Sequence, residues 1–244
     1  VIDYDGEAGT YDVSRGGEAR AAAAAEAVER LLPAGTRALV DVGCGTGIVT
    51  ARLRRPARAV LGVDRSPGML EVAFRRLPHA VVLGDAALLP VGPGRADAVV
   101  FIWLLHLLPA AAPALAEGAR VLRGGGVLVT TVDKDEAMFS VDSDVAAVTA
   151  PVRHRYARRT ADSYERVAGL AAEHGLRPAD ETVFPGIGQG RSPRQWRAAL
   201  STGGLPWGRA ASPGEIAGLR RDLGSLPDQD AARPDPLYRL IALA

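Results

Sequence analysis

The chain has 244 residues and a formal charge of +1. That length buries a substantial core and suits a single α/β unit, and the near-neutral balance gives no electrostatic case for nucleic acid. One cysteine, Cys44, excludes an intramolecular disulfide and zinc-cluster spacings, and no apolar run reaches membrane-spanning length.

No signal peptide is evident, so a cytoplasmic protein without membrane contacts is expected. The chain begins on valine, and an initiator or leader is expected ahead of it. Lys134 is the only lysine among many arginines and alanines, the codon bias of a GC-rich, actinobacterial-looking genome. Residues 1–17 read as an irregular polar lead with Tyr4, Tyr11 and Arg15. Glu18 to Leu32 reads as an alanine-rich helix stopped by Pro33.

Residues 38–42 are a buried strand that runs into Gly43-Cys44-Gly45-Thr46-Gly47 and then a helix over 48–55. The glycines tolerate positive φ and let the backbone approach a ligand, while a helix start offers free N–H groups to polar or anionic atoms. A dinucleotide fingerprint wants glycine where Ile48 stands, and a P-loop wants a lysine that is absent here. A second strand, Ala59 to Val63, ends in Asp64, placed to accept two hydrogen bonds from a ribose diol. A helix over 67–76, a strand at Val81-Val82-Leu83 leading into Gly84-Asp85-Ala86, a strand over 96–102, a helix over 110–122 and a strand over 126–132 follow. The polar punctuation falls at the carboxyl ends of the strands, where open α/β sheets place ligands.

Beyond the fifth strand the pattern changes. Asp133, Asp135, Glu136, Asp142 and Asp144 raise a metal question, but Lys134 interrupts them and a solvated loop is expected, with no metal. Ser140 to Arg159 shows no strand period, and its basic run Arg153-His154-Arg155-Tyr156-Ala157-Arg158-Arg159 reads as a solvated helix face, with an anionic acceptor or RNA phosphates as the alternative. A helix from Asp162 to His174 ends at Gly175. Thr182-Val183-Phe184 starts a sixth strand and Leu237 to Leu243 forms a seventh. The Pro- and Gly-rich stretch 190–236 between them holds helices near 193–201 and 213–222.

In order and spacing these motifs resemble the class I S-adenosylmethionine-dependent methyltransferases. Asp41 to Gly47 is similar to that family's first motif, Val63-Asp64 to its second, Gly84-Asp85-Ala86 to its adenine-binding turn, and Leu122-Arg123-Gly124-Gly125-Gly126 to the turn before its fifth strand. Trp103-Leu104-Leu105-His106-Leu107-Leu108-Pro109 resembles its fourth-strand exit, with Leu107 in place of a second histidine. The resemblance implies an α/β, doubly wound, seven-stranded, mostly parallel sheet with an antiparallel last strand. It implies one domain: lid and helix at 1–35, cofactor core at 36–132, acceptor-side lid with strand six at 133–236, and the last strand at 237–244.

S-adenosylmethionine is the implied cofactor, with S-adenosylhomocysteine as product. Its implied contacts are Asp41, Gly43, Cys44 and Gly45 at the methionine end, Asp64 and Arg65 at the ribose, and Met69, Asp85 and Ala86 at the adenine. Phe101, Ile102 and His106 at the fourth-strand exit complete the set, and Tyr11 and Arg15 fold over the cofactor carboxylate. Methyl transfer is an in-line displacement that mainly needs alignment and a dry cavity. His106 is the candidate general base if the acceptor must lose a proton. Trp103, Tyr156, Trp196 and Trp207 are expected to line the acceptor pocket, with the segments 133–160 and 185–236 and the N-terminal lead closing over it. The expected partner is a small-molecule acceptor, a secondary metabolite with an O, N or C nucleophile. RNA or protein methylation, and a cyclase or binding protein using the same cofactor, are the alternatives.

Overall fold

A seven-stranded sheet forms the frame: β1 (Ala38–Val42), β2 (Ala59–Asp64), β3 (Val81–Leu83), β4 (Ala96–Phe101), β5 (Leu122–Val132), β6 (Pro178–Pro185) and β7 (Leu237–Leu243), in the order β3-β2-β1-β4-β5-β7-β6. The computed structural model describes residues 3–156, 160–202, 205 and 207–244. Strands β1 to β5 pair in parallel, and β7 runs antiparallel to β5. The β-branched runs that flagged β1, β2 and β4 lie between neighbours on both sides, so they read as continuous apolar strands. The winding reverses between β1 and β4, which opens a crevice at their carboxyl ends.

Nine α-helices occur among the described residues: α1 (Tyr4–Glu7), α2 (Tyr11–Ser14), α3 (Gly17–Leu31), α4 (Pro67–Arg76), α5 (Ala112–Val121), α6 (Asp144–Arg155), α7 (Tyr164–Ala172), α8 (Pro193–Ser201) and α9 (Pro213–Ser225). The small side chains of α3 let it pack closely: Ala21, Ala24, Ala27, Val28 and Leu31 are buried, and Arg30 donates to Thr182 Oγ1 and the Val183 carbonyl of β6. Helix α5 approaches the sheet at Gly118, where a Cβ would stand 2.7 Å from Leu128 and 3.0 Å from the Phe101 ring. Leu105, Leu115, Leu128 and Ile241 fill the core around it.

Two compact units divide the chain. The first, Val1–Lys134, Thr160–Pro185 and Tyr238–Ala244, holds the sheet. The second comprises Asp135–Arg159 and Gly186–Leu237. This differs from the expected partition, in which 133–236 was one lid region: α7 and β6 belong with the sheet. The second unit has its own apolar centre of Val145, Trp196, Leu200, Trp207, Leu219 and Leu223. Helices α8 and α9 both start with a capping box, Ser192 with Gln195 and Ser212 with Glu215, which explains two well-defined helices in a Pro- and Gly-rich stretch.

Two local expectations change. The helix expected over 48–55 is a short 3-10 turn, Thr50–Leu53, because three positive-φ glycines precede it and Arg54 returns to extended backbone. The lead 1–17 contains the one-turn helices α1 and α2. The segment 140–159, which showed no strand period, holds α6, capped by Ser143 and running through Pro151. Ala157, Arg158 and Arg159 of the basic run lie outside the described residues.

Candidate functional site

Gly43, Gly45 and Gly47 have φ of 72°, 53° and 71°. Gly43 and Cys44 donate to the Val63 carbonyl at 2.7 and 3.1 Å, which draws the loop against the end of β2. A Cβ on Gly43 would stand 2.8 Å from Leu104, so the loop also abuts the exit of β4, whereas a Cβ on Gly45 would meet nothing within 4 Å. The backbone at Gly45 therefore faces open space at the switch point of the sheet. Cys44 fills the gap beneath: a Cβ on Gly62 would stand 2.8 Å from its sulfur, and burial pushes its thiol pKa up. It packs and is not reactive.

Asp64 ties the loop to the next helix. One carboxylate oxygen accepts from Gly45 N–H at 2.7 Å and the other from Ser66 N–H at 2.9 Å. Each oxygen keeps a lone pair for a ligand hydroxyl. Asp41 lies inward, 2 % exposed, and accepts from Thr50 Oγ1 at 2.5 Å. Burial raises its pKa to about 7, the Thr50 bond opposing and the Asp64 charge adding to the rise. Asp85 is exposed and caps its own turn by accepting from Ala87 N–H, next to the half-buried Ala86. Met69 is buried on α4, and Arg65 is exposed. Phe101 and Ile102 are buried, and the Phe101 ring lies in the core against α5, which leaves only its backbone for a ligand.

The N-terminal lead is fastened onto this loop by two acids that sequence reading missed. Asp12 accepts from Thr46 Oγ1 at 2.6 Å and pairs with Arg76 at 2.7 Å, and Arg76 also donates to the Thr46 carbonyl. Asp5 accepts from Ser66 Oγ and from Gly68 N–H, and a Cβ on Gly68 would stand 2.9 Å from the Asp5 backbone. Tyr11 and Arg15 flank Asp12 on this strap, with the Arg15 guanidinium 5.3 Å from the Tyr11 ring. Burial raises the Tyr11 pKa, while the Arg20 and Arg15 charges oppose the rise.

The exit of β4 forms a second cluster in the same unit. Trp103 has φ 54°, a left-handed conformation that costs a bulky residue roughly 1–3 kcal/mol. Its N–H donates to Thr131 Oγ1 at 2.8 Å, and its ring packs edge-on to Phe184 and Tyr238. The Arg20 guanidinium lies 3.5 Å from the centre of that ring. His106 is held near pKa 3 by burial, with the charges of Lys134, Arg15 and Arg20 adding to the fall. Its Nδ1 has no protein partner, and no carboxylate hydrogen-bonds it among the described residues. Arg20 was missed from the sequence. The signal was there in its spacing, since Arg20, Ala24, Ala27 and Leu31 share the buried stripe of α3.

The remaining acceptor-side expectations fall in the second unit. Trp196 and Trp207 both pack on Phe139, at 5.3 and 6.4 Å between ring centres, and are core residues there. Tyr156 donates to Glu215 at 2.8 Å, beside the Arg155–Glu215 ion pair. Of the acids considered for a metal, Glu136 pairs with Arg153 and Asp144 with Arg233 in this unit. In the first unit Asp133 accepts from Tyr164 N–H. Among the described residues no three His, Cys, Asp or Glu side chains meet as a metal cage, and no helix is long and apolar enough to cross a membrane.

Comparison with known proteins gives the same architecture. A family model described as a methyltransferase domain matches residues 40–130. An uncharacterized methyltransferase of Mycobacterium tuberculosis is 42% identical over 104 residues, 42% of each chain. A malonyl-acyl-carrier-protein O-methyltransferase of Serratia marcescens is 38% identical over 131 residues, 50% of this chain and 48% of that one. The chain spans half or less of the length of the curated relatives it matches. A solved geranyl diphosphate methyltransferase in complex with S-adenosylmethionine is 20% identical with a TM-score of 0.52, over 91% of this chain and 84% of that one.

Proposed function

We propose that this chain, a class I methyltransferase by its fold and by the domain at residues 40–130, binds S-adenosylmethionine at the glycine loop and methylates a small-molecule acceptor. The observation that supports it best is Asp64, whose carboxylate bridges Gly45 and Ser66 beside the open face of Gly45. The residues fit the cofactor: Asp64 accepts the ribose hydroxyls, Asp85 and the Ala86 N–H meet the adenine edge, and the Gly43–Gly45 backbone supports the methionine end. Asp41 lies inward behind the loop, where a ligand ammonium would favour its charged form against the burial that raises its pKa. Tyr11 and Arg15, fixed in place by Asp12, close over the ligand carboxylate.

The bound cofactor supplies an electrophilic methyl group on a sulfonium. The residues at the β4 exit then have to align the acceptor and exclude water. Half-buried Trp103, packed on buried Phe184 and Tyr238, suits that role. His106 serves as a neutral polar contact, because a base of pKa near 3 takes up few protons at neutral pH. We place the reaction in the cytoplasm, where the cofactor is made.

Incubation with methyl-labelled S-adenosylmethionine and a metabolite mixture tests the reading. Label moving into a small molecule with formation of S-adenosylhomocysteine is expected. Label moving only into added RNA or protein would contradict the acceptor class.

A further inference from the structure

The buried polar atoms left unmatched on the strap, on α3 and at the β4 exit are all nitrogens. Arg15 Nε, Arg20 Nε and Trp103 Nε1 are buried N–H donors without an acceptor, and His106 Nδ1 is a buried nitrogen without a partner. The other unmatched buried atoms belong to Arg153, Asp162, Ser163, Arg197 and Gln229, elsewhere in the chain. Arg20 is the extreme case. It is 7 % exposed, donates only to the Arg15 carbonyl, and forms no ion pair with a carboxylate among the described residues. The Asp12 charge acts on Arg20 only from beyond ion-pair distance, and a guanidinium stays charged when buried, so a site that desolvates one without a carboxylate in contact is complementary to an anion brought by a ligand.

Position separates Arg20 from the cofactor contacts. Asp64 and Asp85 lie at the ends of β2 and β3, on one side of the switch point. Arg20 stacks on Trp103, which packs on Phe184 of β6 and Tyr238 of β7, on the other side. Arg15, next to Tyr11 on the strap, remains for the cofactor carboxylate. The charges of Lys134, Arg15 and Arg20 act with burial to hold His106 near pKa 3, so its imidazole is a poor base. A nucleophile that is already an anion at neutral pH needs none.

We infer that Arg20 is an acceptor-binding residue for a carboxylate, and that the protein forms methyl esters. This rests on the methyltransferase reading above and names its substrate class. The Arg20 fork holds one carboxylate oxygen, with Trp103 Nε1 as a second donor, and the other oxygen attacks the sulfonium methyl carbon. A C–O bond forms, the C–S bond breaks with its electron pair going to sulfur, and no proton has to leave. The products are the ester and S-adenosylhomocysteine.

The test uses the full chain, Arg20→Gln and Arg20→Lys, with labelled S-adenosylmethionine and a panel of mono-, di- and tricarboxylic acids beside matched amines and phenols. Calorimetry gives cofactor affinity for each protein. It also gives affinity for the best carboxylic acid in the presence of S-adenosylhomocysteine. The inference expects label in carboxylic acids only, released as volatile methanol by alkali. For Arg20→Gln it expects acid affinity lower by about 30- to 100-fold, the scale of a lost charge-assisted fork, with cofactor affinity within about threefold. Arg20→Lys should recover part of the loss. Retained cofactor binding shows that the variants fold. Alkali-stable label, transfer to amines or phenols only, or no transfer by a protein that binds the cofactor overturns the inference. So does an Arg20→Gln loss of cofactor affinity equal to the loss for the acid, which would place Arg20 on the cofactor. Failure of the unaltered protein to bind S-adenosylmethionine would instead remove the methyltransferase reading itself.

Discussion

Asp41 is buried and His106 half-buried, and desolvation moves their pKa values in opposite directions. The Asp41 carboxyl is raised to about 7, so it keeps its proton in the folded chain where an unfolded chain has lost it. Its favourable contribution is complete below about pH 4 and is lost as pH rises through about 7. Chemical denaturation from pH 4 to 8 should show a decline of roughly 2–4 kcal/mol that Asp41→Asn flattens; equal slopes in both proteins would contradict the assignment. His106 is lowered to about 3 and is neutral throughout this range. His106→Gln should therefore reduce kcat by less than about tenfold, well short of losing a general base, and the kcat profile should show no limb near pH 6.5. A loss of 100-fold or more would restore the histidine as a base. The sequence placed both residues at the mouth of the sheet, but it showed neither the Thr50 partner of Asp41 nor the ring of positive charge around His106. The first follows from the glycine loop turning Thr50 back onto Asp41 nine residues away, and the second from packing between segments far apart in the chain.

At the scale of elements, β2, α4, α8 and β7 were legible because period, caps and turn residues agree locally. Helix α4 starts at the Ser66-Pro67 cap and helix α8 at the Ser192-Pro193 cap, both signals written in adjacent residues. The lead 3–16 was not legible. Helices α1 and α2 have four residues each, too short to form alone, and are held by Asp5 and Asp12 reaching across to Ser66, Thr46 and Arg76. Asp12→Ala should release this strap while the sheet stays folded. Proteolysis within residues 3–16 is expected to quicken, and stability to fall by about 1–3 kcal/mol, the scale for a lost charged hydrogen-bond partner. Unchanged cleavage would mean that the strap is held by packing alone. Trp196 and Trp207 show the opposite difficulty. Their aromatic chemistry suggested a pocket, whereas the structure spends both on the small core of the second unit. Sequence periodicity alone does not distinguish a packed tryptophan from a lining one.

At the scale of the whole molecule, the strand order places the glycine loop, Asp64 and the β4 exit at one end of one sheet. The strands were readable one by one because several end in their own motif, and the doubly wound arrangement with an antiparallel last strand came from the family resemblance. The division into two units was not readable, because the second is built from segments 135–159 and 186–237 whose contacts are non-local. The proposed cofactor site lies within the first unit, and Asp64, which bridges Gly45 and Ser66, is the residue on which that proposal turns. Calorimetric titration of the full chain and of Asp64→Ala with S-adenosylmethionine tests this most directly. The chain should bind at a single site, with Asp64→Ala weaker by roughly 1–3 kcal/mol and no response of either protein to a nicotinamide dinucleotide. Absence of heat with S-adenosylmethionine together with clear binding of the dinucleotide would contradict the account.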